Sequence, residues 1–151
     1  MGIGALGFIN GALSFVGKVN NDKQGNKLFS NGRKERWCAD FVTYHLKKAG
    51  ITWLGSPAVS TLRSQAISKG KYMRTENMNE KAKSLFIAKN VKPGDIMIEK
   101  RNGKSHTGIV TSVNTKTGSF TTVEGNSGDK VAKRSYQSNS KTLSGFIKMF
   151  R

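Results

Sequence analysis

The sequence predicts an α+β domain in which helices come first and an antiparallel sheet second. Apolar residues recur at helical spacing in the first half of the chain, and from Lys92 onward the pattern changes to short alternating stretches with turn residues between them. The length of 151 residues suits one domain with a core of its own, covering residues 1–151, helical to about residue 90 and sheet from about residue 93. A hydrophobic content of 36% with 17 Gly and only 2 Pro fits a compact mixed fold rather than a disordered chain.

At the N-terminus, Ala5, Phe8, Ile9, Ala12, Leu13 and Val16 line one face of a first helix within residues 1–17. That segment is too short to span a bilayer comfortably, and it lacks the basic n-region of a secretory signal. Residues 20–36 read as a polar surface loop with Gly25 and Asn31-Gly32. A strong helix follows, with Cys38, Phe41, Val42, His45, Leu46 and Ala49 on one face and Gly50 as its stop. Gly55-Ser56-Pro57 breaks the chain before a third helix over Ser60–Lys69, with Leu62, Ala66 and Ile67 inward, and a further helical stretch falls near Asn79–Ala88. About five strands complete the domain, near Asp95–Lys100, His106–Val113, Ser119–Gly125, Val131–Gln137 and Gly145–Phe150.

Charge narrows the partners. The chain carries 26 Lys plus Arg against 9 Asp plus Glu, a formal net charge of +17. An anionic partner is expected, and nucleic acid, an acidic membrane surface or the acidic polymers of a bacterial envelope all satisfy that. The positive charge is dispersed, so a solvated surface and a dedicated binding face are both open readings. No aromatic-rich basic motif points to specific nucleic-acid recognition, since Trp37, Phe41, Trp53 and Phe86 read as core or groove residues. The single cysteine excludes an internal disulfide, and no Cys/His cluster has zinc spacing, so no metal and no cofactor are expected.

That cysteine is the candidate for chemistry. Cys38 falls in the first turn of the strong helix, where unpaired amides and the positive end of the dipole stabilise a thiolate; a buried small hydrophobe is the alternative reading. Of the two histidines, His45 lies seven residues further along the same helix, roughly 10 Å up its axis, too far to serve as the base and more suited to the core. His106 remains. Pairing the next hairpin about Lys116 sets His106 opposite Asn126 and diagonal to Glu124, all on one face, so either polar residue could orient the imidazole; Glu124–Gly128 also reads simply as a turn.

Four segments taken together, Trp37-Cys38-Ala39-Asp40-Phe41-Val42, Lys92-Pro93-Gly94-Asp95-Ile96, His106-Thr107-Gly108-Ile109-Val110 and Val123-Glu124-Gly125-Asn126, resemble the CHAP domain. CHAP stands for cysteine, histidine-dependent amidohydrolase/peptidase, a papain-like family of cell-wall hydrolases related to the NlpC-type peptidases. Order and spacing agree over about residues 35–150. The resemblance implies that Cys38 is the nucleophile, His106 the general base and acid, and Glu124 the residue that orients His106, with Asn126 as competitor or helper. Some relatives bind calcium through an acidic loop before the cysteine; here residues 26–36 hold Glu35 alone, and no calcium site is expected.

The function so implied is hydrolysis of an amide bond in bacterial peptidoglycan, by an amidase or endopeptidase. The alternatives are an inactive binding module for an anionic polymer on the same fold and an amidase for another substrate. Action at the cell wall without an N-terminal signal would need delivery by lysis, a phage particle or a secretion system. An effector would come with an immunity protein.

Overall fold

The computed structural model describes residues 2–18, 28–33, 36–127 and 130–151. Among them, in chain order, stand α1 (Ile3–Leu13), α2 (Cys38–Lys48), α3 (Val59–Lys69), β1 (Tyr72–Arg74), α4 (Glu80–Asn90), β2 (Ile96–Arg101), β3 (Lys104–Val113), β4 (Phe120–Glu124), β5 (Ala132–Tyr136) and β6 (Leu143–Ile147). The strands form one antiparallel sheet in the order β1-β6-β2-β3-β4-β5. The α+β class is as expected, with helices N-terminal and the sheet C-terminal.

Strand alternation gives the sheet two apolar faces. Ile96, Ile98, Ile109, Val123 and Ile147 pack with Phe8, Ile9 and Ala12 of α1, Phe41, Val42 and Leu46 of α2, and Leu62 and Ala66 of α3. Their strand neighbours Met97, Val110, Phe120, Tyr136 and Phe146 pack on the other face with Ile87 of α4 and Val91. The sheet is therefore covered on both sides, with Cys38 in the helical layer and the polar ends of β3 and β4 beside it.

Several local readings change. The sheet has six strands rather than five, because three residues at Tyr72–Arg74 pair with β6; so short a run carries no visible alternation. Ile67 is 45% exposed, not inward, since it lies five residues, about 140° of helix rotation, beyond Leu62. Ala49 is exposed as well, because α2 ends at Lys48 and Gly50, with φ of 78°, turns the chain away. The fourth helix begins where Asn79 caps it, its side chain accepting from the Ala82 amide at 2.8 Å.

Two turns set where the central strands begin. Between β2 and β3, Asn102 (φ 51°) and Gly103 (φ 75°) both adopt the left-handed conformation that a two-residue hairpin needs. The strand consequently starts at Lys104, and His106 is its third residue rather than its first. Before β2, Asp95 accepts from the Lys92 amide and from the Met149 amide, and it receives both arms of the Arg151 guanidinium at 2.6 and 2.9 Å. That buried carboxylate ties the entry of β2 to the segment after β6, which explains an aspartate at this position without chemistry.

Candidate active site

Cys38 opens α2, whose N-cap residue, Trp37, makes no side-chain capping bond. Its Sγ is therefore near amides that have no intrahelical partner, and the only acid of the first turn, Asp40, is paired with Arg33 at 2.5 Å. The cysteine is 3% exposed, yet it lines an open cleft of about 360 Å³. One wall is the start of α3, at Ala58 and Ser60; the other is the tip of the β2–β3 hairpin, at Gly103 and Ser105, with Arg36 also in the lining.

His106 reaches this thiol from β3. Its Nε2 lies 2.7 Å from Glu124 Oε1, and Cys38 stands close enough to the ring to strengthen its hold on a proton. The imidazole thus lies between a thiol on a helix and a carboxylate on a strand, and the carboxylate holds it. Burial works against its charge, but the hydrogen bonds and charges of Cys38 and Glu124 outweigh burial, and the pKa is raised from 6.5 to about 10. At neutral pH the ring is an imidazolium.

Sheet register makes the contact possible. Next to the turn, Val113 pairs with Phe120 and Ser112 with Thr121, one step away from a pairing centred on Lys116. Asn114 accounts for the difference, because its Oδ1 accepts from the amides of Lys116 and Thr117 and widens the connection. An irregularity at Thr111 then absorbs one residue, so that Val110 meets Thr122 and Ile109 meets Val123. Continuing by one step sets Gly108 across from Glu124. A Cβ on Gly108 would fall 2.6 Å from Glu124 Cγ, so the carboxylate passes through space that any side chain there would fill.

Glu124 is fully buried, and its second oxygen accepts from Thr122 Oγ1 at 2.6 Å and from the Tyr136 hydroxyl at 2.5 Å. Burial alone would raise its pKa; His106, Thr122 and Tyr136 more than reverse that and hold it below the usual carboxylate value. Among known protein families, the CHAP domain model matches residues 29–126. The chain belongs to the CHAP-domain family. That family comprises amidases and peptidases that act on peptidoglycan, so this CHAP domain is of a hydrolase class that works on the cell wall. No curated protein and no solved structure matches the chain.

In this CHAP domain Asn126 stands apart from the His106 contact. Strand β4 ends at Glu124, and Asn126 adopts φ of 55°, which takes it out of the ladder; its buried Oδ1 makes no hydrogen bond. Gly125 between them allows close packing, since a Cβ there would meet Phe41 at 2.5 Å and Trp37 at 2.8 Å. Among the described residues no group of three or more His, Cys, Asp or Glu could hold a metal ion, and Glu35, on which the calcium reading turned, lies outside them. No helix of the described residues is long and apolar enough to cross a membrane.

His45 occupies the core, as its place on α2 suggested. It sits among Phe41, Tyr44, Phe15 and Phe29 with ring centroids 4.6 to 6.1 Å away, and its Nε2 makes no hydrogen bond. Burial, then Lys48, lowers its pKa from 6.5 to about 4. The folded state therefore refuses a proton that the unfolded chain accepts, so His45 contributes stability above pH 6.5 that is lost as pH falls toward 4. Urea unfolding at pH 7 and pH 4.5 is expected to show His45→Phe losing less stability on acidification than the parent. An equal loss in both would mean the ring does not control that slope.

The sequence reading missed Thr122, Tyr136 and Glu99. Thr122 shares its face with Glu124 by alternation. Glu99 could have been found, because a hairpin folded on Asn102-Gly103 sets it directly across from His106, as it is. Tyr136 could not, since it depends on the pairing of β4 with β5 across residues 125–131.

Proposed function

We propose that this CHAP domain, as a single catalytic unit spanning residues 1–151, hydrolyses an amide bond of peptidoglycan through a thioester on Cys38. The observation that carries the reading is the imidazole of His106, bonded through Nε2 to a fully buried carboxylate and set beside the Cys38 thiol. Such an arrangement supports a charged imidazole acting as the acid beside a sulfur nucleophile. The thiolate attacks the amide carbon, and His106 gives its proton to the departing nitrogen. It then takes a proton from water, whose oxygen attacks the thioester and frees Cys38. Glu124 keeps the ring in position and balances its charge throughout. The Cys38 backbone N–H is the first donor for the oxyanion, by its position at the start of α2.

The cleft between Ala58 and Ser60 on one side and Gly103 and Ser105 on the other would receive the acyl part of the substrate. Small walls suit a peptide built of small residues. A net charge of +17 favours adsorption to the anionic polymers of the envelope, with a benefit that declines as salt screens it.

The test is mass spectrometry of fragments released from purified peptidoglycan. The parent protein is expected to release fragments bearing one new carboxyl and one new amine per cut, and Cys38→Ala is expected to release none. Release of the same fragments by Cys38→Ala would sink the proposal, and the fragment masses identify the bond.

A further inference from the structure

Behind Glu124 lies a second buried carboxylate that takes no part in the proposed reaction. Glu99 on β2 is 2% exposed and is the cross-strand partner of His106. Its Oε2 accepts from Thr142 Oγ1 at 2.7 Å and lies 3.4 Å from Arg101 Nη2; its Oε1 lies 3.3 Å from the Tyr136 hydroxyl. The same hydroxyl is 2.5 Å from Glu124 Oε2.

A phenol has one proton to give. The distances assign it to Glu124, so the Tyr136 oxygen stands between two carboxylates and satisfies one. Two acidic groups separated by a single hydroxyl are unfavourable unless positive charge is close. The charged and titratable groups next to Glu99 are Arg101 on its own strand, its cross-strand partner His106 on β3, and Tyr136 on β5, which in turn meets Glu124 on β4 and Arg134 on β5. Arg101 is half exposed, and the guanidinium of Arg134 sits over the Tyr136 ring at 5.9 Å. The imidazole of His106 is bonded to one of the two carboxylates and lies across the strand pair from the other.

We infer that Glu99 is a positioning residue that acts on His106 through Tyr136 and Glu124. Its carboxylate adds negative charge across the strand pair from the imidazole and beside the Tyr136 hydroxyl that donates to Glu124. The role rests on the reading of His106 as the acid and base of this site. Glu99 touches neither the cleft nor Cys38, and its effect is on how firmly the ring holds its proton.

The experiment is an NMR titration of the two imidazoles, with His45 assigned through His45→Phe, in the parent and in Glu99→Gln. The His106 midpoint is expected to fall by ~1 pH unit in Glu99→Gln, the size a nearby buried charge commands. The alkaline limb of Cys38 alkylation by iodoacetamide should begin about one unit earlier in step with it. Glu99→Met removes the charge while filling the site and carries the same expectation if the glutamine variant does not fold. A folded variant whose His106 midpoint is unmoved, even with reduced stability in urea, overturns the inference, because a purely structural carboxylate would give that result. The titration needs no peptidoglycan. If the parent cuts no wall while the midpoint shifts, it is the proposed function that fails, not the coupling of Glu99 to His106.

Discussion

His106→Ala is expected to reduce kcat/KM on purified peptidoglycan by about 10²–10⁴-fold, the range a positioned acid and base contributes. In the proposed reaction both proton transfers pass through this ring, to the leaving nitrogen and from water, and the chain's other imidazole, His45, is buried in an aromatic cluster away from the cleft. The parent should keep its activity well into alkaline solution, with the limb near the point where His106 gives up its proton, about 10. Stability carries the same signature. A pKa of about 10 in the folded protein against 6.5 unfolded means a contribution fully present below pH 6.5 and lost as pH rises through 10. Urea midpoints between pH 7 and 10 should therefore decline less steeply in His106→Ala. Full activity in that variant, or an unchanged slope, would contradict the assignment.

The second large effect is expected from a single methyl group. In Gly108→Ala the new Cβ lies 2.6 Å from Cγ and 3.2 Å from Cδ of Glu124, and the carboxylate it meets is fixed by Thr122, Tyr136 and His106. Something must move, and the stem of Glu124 is the nearest part. A displacement of about 1 Å in a group that orients a catalytic base can cost about 10²-fold in rate. Overpacking of this kind also costs about 1–3 kcal/mol in stability. The measurement is kcat/KM together with the His106 midpoint, which should fall as the 2.7 Å contact lengthens. A variant with parental activity and an unshifted midpoint would show that Glu124 has another way to reach the ring.

Whether a feature is legible in the sequence depends on whether it is local. The first turn of α2, the stop at Gly50 and the apolar faces of α1 and α2 follow from spacing within one segment, and the sequence carries them. The meeting of His106 and Glu124 follows from a hairpin register, and it is reached even from a turn centred one step away from the pairing beside it. The irregularity at Thr111 makes good the difference, which no residue type announces, since Thr111, Ser112 and Thr121 all read as ordinary strand. Asn126 shows the opposite case. Its parity places it on the imidazole's face, but a left-handed backbone ends the alternation on which parity depends. The layer of Tyr136 and Glu99 requires knowing which strands neighbour one another across long loops, and composition does not supply that.

The extra residue in β3 has a consequence for which changes in chain length this site can survive. Thr111 and Ser112 both turn their hydroxyls to Thr121, at 2.6 and 2.5 Å, so the chain uses two residues there where the opposite strand uses one. Losing one of them would regularise the strand and leave every side chain from His106 to Val110 facing as it does now. Losing a residue between His106 and Val110 instead would rotate the imidazole to the far side of the sheet, with the hydrophobic content of the domain almost unchanged. Within this strand, then, the lineage is free to shorten at one point and is held to fixed length over the five residues that carry the histidine.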